Sequence, residues 1–186
     1  MTDQPDQTEE PAEVVADHGG GEESGASAPE QALLALREQL EAKIRSGANW
    51  FFWIAGLSVV NTLILLSEGD RHFVVGLGIT QLVNAVALAF VKQAPESAMI
   101  AKAVAFVVTL LASAVVMAFG FGARRGMTWL FILGMGLYFL DGLLFILLQD
   151  WMSVGFHLFA LWCMLGGLSA ARELNGLDRV AVAEAD

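Results

Sequence analysis

The sequence predicts an all-α polytopic membrane protein: a bundle of about five transmembrane helices preceded by a short amphipathic N-terminal helix. Three observations predict it. The 186 residues are 56% hydrophobic and only 16% charged, with a mean hydropathy of +0.60. Soluble domains carry about 25% charged residues, so this chain lacks the polar side chains to coat a globule of its size. The apolar residues gather in five runs of roughly 18–21 residues, the length that crosses a hydrocarbon layer of ~30 Å at 1.5 Å per residue. Finally, 11 of the 20 acidic residues precede Asn49, against 3 of the 10 basic ones. The net charge of −10 therefore belongs mostly to the N-terminal tail. This balance excludes a nucleic-acid binder, which needs a basic surface. A single cysteine excludes a disulfide scaffold.

Residues 1–27 are rich in Glu, Asp, Gly, Gln and Pro and read as a disordered acidic tail, because they cannot bury enough surface to offset their ordering entropy. Without a basic start or an early apolar core, they do not read as a signal peptide. Residues 28–48 read as the amphipathic helix. Ser27 and Glu30 have capping-box spacing, and Pro29 suits a first turn. Leu33, Leu36, Leu40 and Ile44 form one narrow apolar stripe, expected to lie on the membrane surface or on the protein's own loops; the alternative is a short coiled coil or a partner-binding helix.

The membrane domain, 49–172, follows, with spans at about 50–67, 73–91, 103–121, 128–148 and 151–171 and a short C-terminal tail, 173–186. Trp50, Trp129 and Trp151 stand at span starts, where interfacial aromatics belong. Short polar connections imply neighbours that run antiparallel. With five alternating spans the basic residues divide five to five between the two sides, so charge does not orient the chain. A cytoplasmic N-terminus is expected, because exporting a long tail without a signal is the less common route; five spans then place the C-terminus outside. Sliding the first hairpin by about 80 residues aligns Leu57 with Leu137, Asn61 with Asp141 and Asp70 with Asp150, the pattern of an inverted repeat.

Polar groups inside apolar spans are expensive and need partners, so they mark candidate sites. Asp141 and His157 lie about eight residues on either side of the Gln149–Asp150 turn and so fall at one depth. Tyr138 shares a face with Asp141, and Ser153 with His157. Asn61 and Gln81 form a weaker, non-ionisable counterpart in the first hairpin. This cluster is read either as a proton or ligand site or as a hydrogen bond locking two helices. No residue set suggests a catalytic site, a metal site or a cofactor. One intramembrane histidine cannot give bis-histidine haem ligation, and Ser153 with His157 on one helix lacks an oxyanion context. Ala114, Ala118 and Gly122, and Gly166 with Ala170, have the small-xxx-small spacing of a packing face.

The run Met127–Ala171 contains Leu137-Tyr138, Asp141, Gln149-Asp150-Trp151 and Gly155-Phe156-His157. This LYxLD…QDWxSVGFH pattern resembles one that recurs in small, uncharacterised multi-pass bacterial membrane proteins. Trp50–Val91, with Gly76-Leu77-Gly78 and Thr80-Gln81, is similar to the first half of the same group. Asn84 departs from it, at a position where an acidic residue is more usual. The resemblance implies a multi-pass protein of the bacterial cytoplasmic membrane and carries no activity, substrate or cofactor. The expected function is a non-enzymatic accessory or scaffold component, with membrane lipids and a second copy or a partner membrane protein as its associates. The alternative is a small proton-coupled or solute transporter centred on Asp141 and His157.

Overall fold

The computed structural model describes residues 27–67 and 76–185. The acidic tail and the connection Glu68–His72 lie outside the described residues, as do the first residues of the second expected span. The described chain is all α-helical, with α1 Ala28–Leu66, α2 Gly78–Gln93, α3 Ala98–Arg124, α4 Thr128–Leu147 and α5 Trp151–Ala185; a single 3₁₀ turn, Pro95–Ser97, joins α2 to α3. Four of these helices, α1, α3, α4 and α5, are long and apolar enough to cross a membrane.

Two expected boundaries disappear. The amphipathic segment and the first span form one unbroken helix of 39 residues, about 58 Å long at 1.5 Å per residue. Residues 28–48 thus continue the axis of the first expected span instead of forming a separate surface helix. The last span likewise runs through the expected C-terminal tail, giving a helix of 35 residues. These extensions pair with each other. Leu40 and Ile44 are buried in the same apolar cluster as Leu168 and Ala171, with Leu174 and Leu177 packed against it. Beyond them Arg37 bonds Asp178 at 2.6 Å. The outer stripe residues Leu33 and Leu36 stay exposed. Ser27 precedes α1 without a side-chain cap, so the expected capping box is not made.

Contacts along the helices give their directions. Asn49 meets Arg124, Ala55 meets Ser113 and Thr62 meets Thr109, so α3 runs opposite to α1. Phe51 packs on Phe131, and α4 follows α3 through a tight turn with Gly126 at φ 74°, a conformation that suits glycine. α4 therefore runs with α1, and α5 returns against both. The N-terminal end of α1 and the C-terminal end of α5 lie at the same end of the bundle. This corrects the expectation of opposite ends. It also removes the inverted repeat, because the helices that begin the two compared hairpins point the same way.

The reason lies in α2. The chain leaves α1 at Ser67 and is next described at Gly76, whose backbone lies beside Ser58, midway along the apolar half of α1. Leu77 bonds Ser58 and Asn84 bonds Thr62, so α2 runs parallel to α1 rather than antiparallel. It has only 16 residues and starts inside the bundle.

The packing changes character along the bundle. Toward the termini the core is apolar: Phe51, Ile54, Phe131, Ala160, Met164 and Leu168. Toward the opposite end small hydroxyls take over between α1, α2 and α3. Asn84 Nδ2 donates to Thr62 Oγ1 at 2.9 Å, Thr62 and Thr109 share a bond of 3.1 Å, and Ser113 donates to the Ala55 carbonyl at 3.2 Å. Such bonds join apolar helices to one another across the bundle. The expected small-residue faces hold in part. Gly122 and Ala170 are buried, whereas Ala114, Ala118 and Gly166 are exposed and Ser113, Gly120 and Gly167 pack inward. One residue rotates a helix face by about 100°, enough to exchange Ala114 for Ser113 and Gly166 for Gly167.

Candidate functional site

The start of α2 defines the site. A helix N-terminus leaves four amides without intrahelical partners, and those that are buried need partners from elsewhere. α2 has no side-chain cap of its own, since Leu77 precedes it. The partners come from other helices. Ser58 Oγ accepts from the Leu77 amide at 2.9 Å and donates to the Ile54 carbonyl at 2.8 Å. Asp141 on α4 accepts from the Gly78 amide at 2.6 Å through Oδ2 and from the Ile79 amide at 2.8 Å through Oδ1. Its carboxylate thus caps another helix in trans. The negative charge faces the positive end of the α2 dipole, a favourable arrangement. Gly78 permits the approach: a Cβ there would come within 2.8 Å of Phe145 and 3.1 Å of the Asp141 carbonyl.

His157 on α5 completes the constellation. Its Nε2 lies 3.2 Å from Asp141 Oδ2, and its Nδ1 lies 2.8 Å from the Ser153 carbonyl. Hydrogen-bond accounting assigns the protons. A carbonyl only accepts, so Nδ1 carries a proton. Nε2 and Oδ2 then face each other, and two lone pairs cannot do so at this distance. One proton therefore lies between His157 and Asp141, whichever atom bears it. Two amides and one imidazole N–H together suit an ionised carboxylate, an acceptor at every lone pair. The pair is buried, with 3% of the His157 side chain exposed and 9% of the Asp141 side chain.

Packing holds the imidazole in this pose. Tyr138 stacks on it at 4.3 Å with a 16° interplanar angle, and Phe145 lies 5.0 Å away. Gly142 makes room, because a Cβ there would sit 3.1–3.2 Å from three carbons of His157. Gly142→Ala is expected to push the ring off Asp141 at a cost of about 1–3 kcal/mol, the range for overpacking. A lowered unfolding midpoint in detergent, together with a shifted His157 ring resonance in NMR, checks it.

Of the six candidate residues, the structure brings four together. Asp141 and His157 bond directly, and Tyr138 stacks on His157 rather than bonding either. Ser153 contributes its carbonyl to His157, while its hydroxyl donates to Asp150 Oδ2 at 2.6 Å and helps cap α5. Asn61 is buried on α1 and no hydrogen bond joins it to the pair. Gln81 lies one turn beyond Gly78; its Nε2, Asn84 Oδ1 and Tyr138 OH are buried polar atoms without a hydrogen-bond partner among the described residues. The sequence reading missed the amides of Gly78 and Ile79 and the bridging Ser58. The Gly76-Leu77-Gly78 step was the available signal, since glycines flanking a helix start permit close backbone approach.

A cavity of about 410 Å³ lies between α3 and α4, with Asp141, Tyr138, Leu77 and Ile79 on one wall and Val115 and Phe119 on the other. Its lining is almost wholly apolar. Among the described residues no three His, Cys, Asp or Glu side chains group as a metal site. No protein-family model, curated protein or solved structure matches the chain.

Proposed function

We propose that this is a non-enzymatic integral protein of the bacterial cytoplasmic membrane, an accessory or scaffold component that binds a partner through its cytoplasmic stalk. In this reading α1, α3, α4 and α5 cross the bilayer, and α2 is a re-entrant half-helix that begins near mid-depth and exits on the side it entered. Non-helical backbone at that depth is tolerated only where protein satisfies it, the role Ser58 and Asp141 perform. Charge supports the orientation. Of the nine described basic residues, Arg37, Lys43, Arg45, Arg124, Arg125, Arg172 and Arg179 lie at the termini end, and only Lys92 and Lys102 at the other. By the positive-inside rule the termini are cytoplasmic.

The observation that carries the functional reading is the stalk. Beyond the apolar body α1 and α5 continue as an antiparallel pair whose outer residues Leu33, Leu34, Val180 and Val182 are 44–63% exposed. An apolar tip held away from the membrane suits a protein partner. The test is gentle extraction from native membranes followed by mass spectrometry, with wild type beside Leu33→Glu/Leu34→Glu. A stoichiometric partner that the double variant loses, at unchanged unfolding midpoint, supports the proposal. A protein that emerges alone, or a partner retained by the variant, overturns it.

A second reading is favoured by one observation, the half-helix N-terminus at mid-depth on an ionisable pair. Broken helices of this kind form ion and substrate sites in transporters. In that reading the protein is a small proton-coupled carrier. Purified protein in liposomes with an internal pH dye should then pass protons, and Asp141→Asn should abolish the flux with insertion intact.

A further inference from the structure

We infer a phosphate-binding recess at the termini end, where α1, the α3–α4 turn and α5 meet. A cavity of about 390 Å³ is lined there by Glu41 and Arg45 of α1, Arg124 and Arg125 at the end of α3, and Asn175 and Asp178 of α5. Arg45 and the adjacent pair Arg124-Arg125, about 80 residues apart in sequence, thus converge on one concavity.

The charges do not cancel. Asp178 is engaged by Arg37 at 2.6 Å, and Glu41 by Arg45 at 3.4 Å. Arg124 donates to Asn49, a neutral side chain, and lies 4.2 Å over the Phe52 ring, which holds the guanidinium in place without neutralising it. The Arg125 side chain makes no hydrogen bond or ion pair with a described residue. Three guanidiniums and two carboxylates therefore line the recess, and Arg37, outside the lining, engages one of those carboxylates. The wall is also built: Asn175 Nδ2 donates to the Gly126 carbonyl at 3.1 Å and fixes the turn that carries Arg124 and Arg125.

A guanidinium fork matches two phosphate oxygens and is easily desolvated, so excess arginine in a concavity selects phosphate over smaller or singly charged anions. The recess stands where the helices leave the apolar body, close to the exposed Trp129 at the start of α4. That is the depth of a lipid phosphate in the proposed membrane orientation. An acidic phospholipid headgroup and a soluble phosphate offer the same chemistry. Only the lipid source depends on the membrane reading.

The experiment uses the full chain, purified in neutral detergent and exchanged into phosphatidylcholine nanodiscs. One arm adds increasing phosphatidylglycerol; the other adds inorganic phosphate without acidic lipid. Unfolding midpoint and lipid retained in native mass spectrometry are read in both. A midpoint that rises with phosphatidylglycerol alone identifies a headgroup site, and a rise with phosphate as well identifies a soluble anion site. Arg125→Gln, which breaks no internal bond, should weaken the response about tenfold, the loss of one charge-assisted contact. Arg124→Gln/Arg125→Gln should abolish it. No rise in either arm, or a rise that Arg125→Gln leaves unchanged, overturns the proposal.

Discussion

Replacing Asp141 by alanine is expected to cost about 3–5 kcal/mol, the range for removing one partner from a buried charged pair. The loss has two parts. The amides of Gly78 and Ile79 lose their acceptors, at about 1–3 kcal/mol for each group left orphaned away from water. His157 loses the oxygen that shares its second proton and is left to its Ser153 bond alone. Asp141→Asn separates these parts. Its amide oxygen can accept from one α2 amide, and its NH₂ can donate to Nε2 of a neutral imidazole, so only one amide is left unpaired and the cost falls to about 1–3 kcal/mol. Hydrogen exchange gives the local readout. Gly78 and Ile79 should exchange rapidly in the alanine variant, and one of them should remain protected in the asparagine variant. Equal protection in all three proteins would show that the carboxylate does not cap α2. Ser58→Ala is a useful companion, since it should expose the Leu77 amide alone.

How much of this was legible beforehand depends on the kind of signal. Hydropathy located α3, α4 and the apolar halves of α1 and α5, because length and composition suffice for a long apolar helix. Counting residues from the Gln149–Asp150 turn placed Asp141 and His157 at one depth, since a tight turn fixes the register of an antiparallel pair. α2 was not legible in the same way. The run from Phe73 to Val91 is predominantly apolar along its whole length, and hydropathy does not distinguish a crossing helix from one that starts at Gly78 midway. That ambiguity propagated. A full second span reverses the sense of every later helix, separates the termini and divides the basic residues evenly between two sides. Once α2 runs parallel to α1, the tie becomes seven against two among the described residues. The partners of Asp141 were hidden for another reason. They are backbone amides, which every residue has, so no side-chain pattern marks them.

The second large effect concerns the contact on which the stalk rests. α1 and α5 approach so closely that a Cβ on Gly47 would lie 2.7 Å from the Gly167 Cα, 3.0 Å from its nitrogen and 3.4 Å from the Met164 carbonyl oxygen. All three are backbone atoms, so no side chain can rotate away; the helices must separate. Gly47→Ala should therefore cost about 1–3 kcal/mol, and Gly47→Val more, because the wedge acts on a packed core rather than on one rotamer. The separation should propagate outward to Arg37 and Asp178, whose bond crosses the same pair of helices. A cysteine pair placed at those two positions should be joined by a bifunctional thiol reagent of side-chain length in the otherwise unaltered protein, and poorly with Gly47→Val. The neighbouring glycine supplies the control. A Cβ on Gly166 meets nothing within 4 Å, so Gly166→Ala should stabilise by about 0.5–1 kcal/mol through helix propensity alone. Opposite signs at Gly166 and at Gly167, whose Cβ would meet Gly47 at 2.9 Å, would fix the rotation of α5 to within one residue. Two destabilised proteins would place the interface elsewhere and detach the stalk from the bundle that carries it.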